Sequence, residues 1–126
     1  MKPTDFSKYL SEFLTHYMSG ERGASPNTIL SYKYSFLLFV TFMLEEKRIN
    51  AEKIELKSIT KDVVVEYLNW LQNKRNCSNS TRNARLAAFH SFFKYLQYQD
   101  PENLHECQRI LSIRIKTATK ETDRKS

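Results

Sequence analysis

The residues of this chain that could do covalent or acid–base chemistry are few and scattered. His16, His90 and His105 fall on three separate segments, with no Cys or carboxylate at metal-ligand spacing beside them. Spacing therefore assembles neither a zinc site nor a His-based proton relay. Glu45-Glu46 is a carboxylate pair, but Lys47-Arg48 follows at once, which reads as solvated charge at a helix end. The two glycines, Gly20 and Gly23, bracket Glu21-Arg22 and make no Gly-rich phosphate cradle. Seven tyrosines are present, most at core spacing and none inside a cluster of Arg, His and Lys. Cys77 and Cys107 match no metal spacing and read as reduced thiols. The expectation is a binding module with no catalytic residue, metal or cofactor.

The chemistry that is present is electrostatic. No acidic residue occurs between Glu66 and Asp100, whereas Lys74, Arg75, Arg82, Arg85 and Lys94 all do. They surround the polar run Cys77-Ser78-Asn79-Ser80-Thr81-Arg82-Asn83-Ala84-Arg85. A phosphate backbone selects for such an unopposed basic stretch at a helix start, which makes double-stranded DNA the first partner to consider. A solvated basic face accounts for the charge alone equally well. The formal charge of +6 and pI near 9.4 favour a polyanionic partner and say nothing of fold.

These side chains need a scaffold, and 126 residues suffice for one domain with a real core. With 40% apolar residues, two Gly and three Pro, the chain has little material for the tight turns of a β fold. The expected class is all-α, a bundle of four to five helices. No apolar run approaches the roughly 18–20 residues of a membrane span. Met1-Lys2-Pro3-Thr4-Asp5 lacks an apolar leader core, so a cytoplasmic location is expected.

Apolar spacing predicts a first helix over about 4–19, capped by Thr4 or Asp5 and ended at Gly20-Glu21-Arg22-Gly23. Ser25 and Pro26 make the clearest start, opening a second helix that runs to about Arg48. Thr28, Tyr32, Phe36, Phe39, Val40 and Met43 form its expected core stripe, widened by Leu30, Leu37, Leu38, Phe42 and Leu44. Ile54, Leu56 and Ile59 are expected to tuck a connection onto the core. Thr60 then caps a third helix buried through Val63, Val64, Tyr67, Leu68 and Leu71. The fourth helix starts near Ser80 and stops at Asp100-Pro101. A weaker turn covers Leu104 to Leu111, and a polar stretch follows from Arg114.

A wheel of the fourth helix centres the core on Arg82, Leu86, Phe89, Phe93 and Leu96. Being in the first turn, Arg82 need not be buried despite its angle. Ser80, Ala84, Ala87 and Ser91 form the opposite face, small enough to lie against a groove or phosphate wall, with Ser78 to Arg85 supplying contacts. The start of the second helix is similar, with Asn27, Thr28, Ser31, Lys33 and Tyr34. Thr28 and Tyr32 also fit the core, and Ser31 and Lys33 also fit plain solvation.

The pattern Ser25-Pro26-Asn27-Thr28-Ile29-x-x-Tyr32, followed by Phe36 and Phe39, resembles the second helix of the N-terminal core-binding domain of tyrosine recombinases, the phage integrases. Ile59-Thr60-x-x-Val63-x-x-Tyr67-Leu68 resembles its third helix. Ser80-Thr81-Arg82-Asn83-x-Arg85-Leu86-x-Ala88-Phe89-x-Ser91-Phe92-Phe93-Lys94-Tyr95-Leu96 is similar to its fourth and is the most specific of the three. The resemblance covers about residues 4–118. It implies a SAM-like orthogonal bundle over residues 1–113 that closes on DNA, and a linker over 114–126 leading to a catalytic domain. Carried over by position, the implied DNA contacts are Thr28, Ser31 and Lys33, with Ser80, Thr81, Arg82, Asn83 and Arg85. Alanine at Arg82 or Arg85 is then expected to weaken binding without lowering thermal stability.

The family's chemistry needs two arginines, a lysine, a His-x-x-Arg context and a nucleophilic tyrosine in that catalytic domain. This sequence holds no His-x-x-Arg. The resemblance thus implies either a fragment of a longer recombinase, which the polar end Thr117 to Ser126 favours, or a natural stand-alone relic; alone it is expected to be no enzyme and monomeric. A full-length parent would form a 3′-phosphotyrosyl intermediate and meet other protomers in a synaptic tetramer. A stand-alone helical DNA-binding regulator and a helical protein-interaction module, docking through Phe42, Tyr34 and Tyr98, are the competing readings.

Overall fold

A computed structural model describes residues 3–117. Helix α1 (Asp5–Glu12) continues without a break as a π-helical segment, Phe13–Glu21; α2 (Pro26–Lys47), α3 (Lys61–Lys74), α4 (Asn79–Gln99) and α5 (Leu104–Leu111) follow. Short 3₁₀ turns at Ala51–Lys53, Leu56–Ser58 and Pro101–Asn103 connect them. No strand occurs among the described residues, so the all-α expectation holds.

Local capping chemistry sets the helix starts. The N–H groups of Ser7, Thr28, Val63 and Thr81 donate to the side-chain oxygens of Thr4, Ser25, Thr60 and Ser78. Each cap satisfies a donor that the first turn leaves without an intrahelical partner. At the far ends, Arg48 (φ 58°) and Asn76 (φ 56°) take left-handed backbone. Ile49 N–H then reaches back six residues to Met43 O, and Cys77 N–H six residues to Leu71 O, so that carbonyls of the last turn are satisfied. Gly23 (φ 61°) does the same after the π segment. Gly20, expected in that role, is instead helical.

α4 is the hub, packing against α2, α3 and α5. Aromatic rings join the layers: Phe36 of α2 stacks on Phe89 of α4 at 4.6 Å between centroids. Phe39 meets Tyr67 of α3 edge-on at 5.3 Å, and Phe13 meets Phe92 at 5.4 Å. Each such pair adds about 0.5–1.5 kcal/mol beyond area burial. Two side-chain clasps complete the frame. Asp5 Oδ1 accepts from Leu56 N–H at 2.9 Å, and Glu106 Oε2 of α5 accepts from Lys61 N–H at the start of α3, where a carboxylate also suits the helix dipole.

The expected core is largely present, with three differences. On α2, Thr28 is exposed, Tyr32 and Val40 are half-buried, and Leu30, Leu37 and Leu44 face outward. The burial follows Ser35, Leu38 and Phe42 instead, because α2 is covered on the side facing α3 and α4. Trp70 is buried on α3, and Val63 only half-buried. Arg82 is 6% exposed, so its place in the first turn does not free it from burial. The helix wheel placed it at the core angle, and the packing keeps it there.

Candidate nucleic-acid interface

Two helix starts come together here. From α4, Arg85 reaches α2 and its NH1 donates to Ser31 O at 3.2 Å and to Ser35 Oγ at 2.8 Å. The guanidinium also lies over the Tyr34 ring, 5.2 Å from its centroid. One fork thus fixes the spacing of the α2 and α4 N-terminal halves. Arg85 was expected at a free surface, but much of its donor capacity is spent inside the bundle.

The exposed row of α4 is the one the wheel gives. Ser80, Ala84 and Ala87 are exposed and Ser91 is half-exposed. Arg22, at the end of the π segment, donates from NH1 to Ser91 Oγ at 2.7 Å. An open groove of about 920 Å³ continues along this side, lined by Arg22, Tyr32, Ala87, Ser91, Lys94 and Tyr98 among others. Thr28 and Ser31 are exposed at the start of α2. Lys33 is exposed too, yet two residues carry it about 160° around the helix from Ser31. It stands with the outer row of Leu30 and Leu37, away from Arg85.

The other flank of α4 handles the outgoing chain. Asn83 Nδ2 donates to Lys116 O at 2.6 Å, and Lys116 N–H donates back to Asn83 Oδ1 at 2.9 Å. Lys116 Nζ donates to Gln72 Oε1 at 2.7 Å, and Gln72 Nε2 to Asn79 Oδ1 at 2.8 Å. The polar stretch expected from Arg114 is therefore tied back onto α4 as far as Lys116; residues 118–126 lie outside the described residues. Further along this flank is His90, with Nε2 buried and unpartnered. Burial holds its imidazole below the ordinary range, partly offset by the carbonyls of Ile110 and Ile113.

The structure thus brings Ser31 and Arg85 into contact and leaves Thr28, Ser80 and Thr81 accessible in part or in full. It commits Asn83 to the outgoing chain, buries Arg82 and turns Lys33 away. Sequence reading missed Arg22. A signal for it existed: no acidic residue occurs from Arg22 to Leu44, so α2 starts in a second acid-free window matching that of α4. The fourteen Asp and Glu residues all lie outside these two windows. Among the described residues no group of His, Cys, Asp and Glu could hold a metal ion, and no helix is long and apolar enough to cross a membrane.

Two Sinorhizobium fredii proteins named as integrase/recombinase are similar to the chain. One, y4rD, is 33% identical over 109 residues, covering 86% of this chain and 39% of its own length. The other, y4rC, is 32% identical over 119 residues, covering 94% and 36%. The tyrosine recombinase XerC of Herpetosiphon aurantiacus is 36% identical over 106 residues, covering 84% and 32%. The chain thus spans about a third of the length of these relatives, from 32% to 39%. No solved structure matches it. The family model described as phage integrase, N-terminal SAM-like domain, matches residues 10–100, and with its relatives named as recombinases the chain belongs to that family.

Proposed function

We propose that this chain is the duplex-gripping N-terminal part of a site-specific tyrosine recombinase, with strand cleavage carried by a catalytic domain outside it. The observation that carries the reading is the pair of acid-free helix starts, 22–44 and 67–99, joined by Arg85 across Ser31 and Ser35. Their exposed surface offers hydroxyls and cations, with Glu21 the carboxylate lining the adjoining groove beside Arg22, and hydroxyls and cations are the chemistry of phosphate contact.

Thr28, Ser31, Ser80 and Thr81 meet the sugar–phosphate backbone, with Arg22 and Lys94 as flanking cations. The small side chains of Ala84 and Ala87 permit close approach of α4. Arg85 and Asn83 act as positioning residues, and Lys33 contributes only long-range attraction. The parent enzyme forms the 3′-phosphotyrosyl intermediate and acts as a synaptic tetramer on cytoplasmic DNA. The outer row of α2, with Leu30 61% and Leu37 59% exposed, favours a second reading for that face alone, contact with another protein.

A salt titration of duplex binding, followed by fluorescence anisotropy, tests the main reading. Affinity falls linearly in log–log form, with a slope of about −0.9 per phosphate neutralised. Failure to bind any duplex at about 50 mM salt overturns it.

A further inference from the structure

The open groove of about 920 Å³ lies between the π segment, the start of α2, the second half of α4 and α5. Its size is at the upper end of what ligand sites have, roughly 300–1,000 Å³. Duplex contact through the exposed row Ser80, Ala84 and Ala87 leaves its lining unexplained, because four of the seven tyrosines converge there: Tyr17, Tyr32, Tyr95 and Tyr98.

The rings are graded from floor to rim. Tyr95 is 9% exposed, Tyr17 and Tyr32 are half-buried, and Tyr98 is 76% exposed. Phe13 fixes the deeper ones, stacked on Tyr17 at 5.8 Å and on Tyr32 at 6.4 Å between centroids. Tyr17 in turn meets Tyr95 at 4.8 Å. Rings held this way present a large surface at little cost in conformational entropy.

The charges stand higher. Lys94 and Arg22 are exposed, and Arg22 is steadied by its bond to Ser91 Oγ. One carboxylate, Glu21, opposes these two cations in the lining, and the Gln97 and Gln99 amides add donors and acceptors. Rings below and cations above suit a ligand that puts a flat face inward and an anion outward. A duplex is not that ligand. Its bases are already stacked on one another and offer a protein only their edges and backbone. An unpaired strand has base faces to give.

We propose that this groove is a stacking site for unpaired nucleotides, with a base laid on Tyr98 and its phosphates toward Arg22 and Lys94. The source of such a strand, a duplex cut by the parent enzyme, rests on the function proposed above; the groove's preference for bases does not.

The full chain is titrated at about 50 mM salt with labelled octathymidylate, an abasic eight-mer of equal charge and a blunt duplex. Octathymidylate binds about tenfold more tightly than the abasic strand, through stacking. Tyr98→Ala, at an exposed position, keeps the wild-type Tm and duplex affinity but binds octathymidylate about tenfold more weakly. Tyr98→Phe retains both affinities, because the ring and not the hydroxyl stacks. Equal affinity for the abasic strand overturns the stacking. Octathymidylate binding that survives in Tyr98→Ala, or that falls together with duplex binding, overturns the groove as its place. So do backbone amide resonances of Ala87, Gln97 and Tyr98 that octathymidylate leaves unmoved, a readout that needs no variant. If the wild type binds duplex but not octathymidylate, the groove fails and the proposed function stands. If it binds octathymidylate and no duplex, the proposed function fails and the groove stands.

Discussion

Arg85 NH1 stands 2.8 Å from Ser35 Oγ, joining α4 to α2 across 50 residues of sequence. The same nitrogen donates to Ser31 O, and Ser35 Oγ also donates to that carbonyl, at 3.0 Å. Tyr67 of α3 adds its hydroxyl, donating to Ser35 O at 2.8 Å. Three helices therefore meet at one turn of α2.

That junction makes Arg85 a structural side chain as much as a surface cation. Arg85→Ala should destabilise the fold by about 1–2 kcal/mol, less than a fully buried charged hydrogen bond because the residue is half-exposed. Urea denaturation measures this, and Arg85→Lys should recover only part, since an ammonium lacks the fork. Wild-type stability in Arg85→Ala would show that the bridge contributes nothing.

Asn83→Ala should free the outgoing chain. Lys116 N–H loses its acceptor, and its amide should exchange at least tenfold faster, a change read by hydrogen-exchange NMR. Because Asn83 and Lys116 lie at the surface, global stability should move by less than about 1 kcal/mol. Equal exchange in both proteins would mean that Asn83 does not hold residues 114–117.

His90 gives the stability a pH dependence of known sign. Burial holds its folded pKa below the unfolded value of about 6.5. The unfolded chain therefore takes up the proton first as pH falls. Stability from this group is complete above about pH 6.5 and declines as pH drops below it. His90→Gln should flatten the denaturation midpoint between about pH 5 and 7 relative to wild type. Parallel profiles for the two proteins would remove His90 as the cause.

The helix starts were legible because capping is local. Thr4, Ser25, Thr60 and Ser78 each act on an N–H three residues away, a relation that spacing reveals. Ser78 was nonetheless passed over for Ser80 as the start of the fourth helix, since both are good caps within two residues. The α2 stripe was misdrawn because nearly every turn of that helix is apolar. Only the neighbours α3 and α4 choose which side is covered, and they choose Ser35, Leu38 and Phe42 over Leu30, Leu37 and Leu44.

By itself, the sequence determined an all-α fold, its caps, and two basic windows that hold no carboxylate, because these depend on residue type and short spacing. The tertiary structure alone decided what each candidate cation and amide does. Arg85 finds its acceptors 50 and 54 residues away, and Asn83 clasps the backbone 33 residues on. Among the described residues Arg82, at the same helix start, is buried with its Nε and NH1 unpartnered. Hydrogen bonds of that range leave no periodic trace in a chain, so three neighbouring polar residues that look alike in sequence become a bridge, a clasp and an unpaired buried charge.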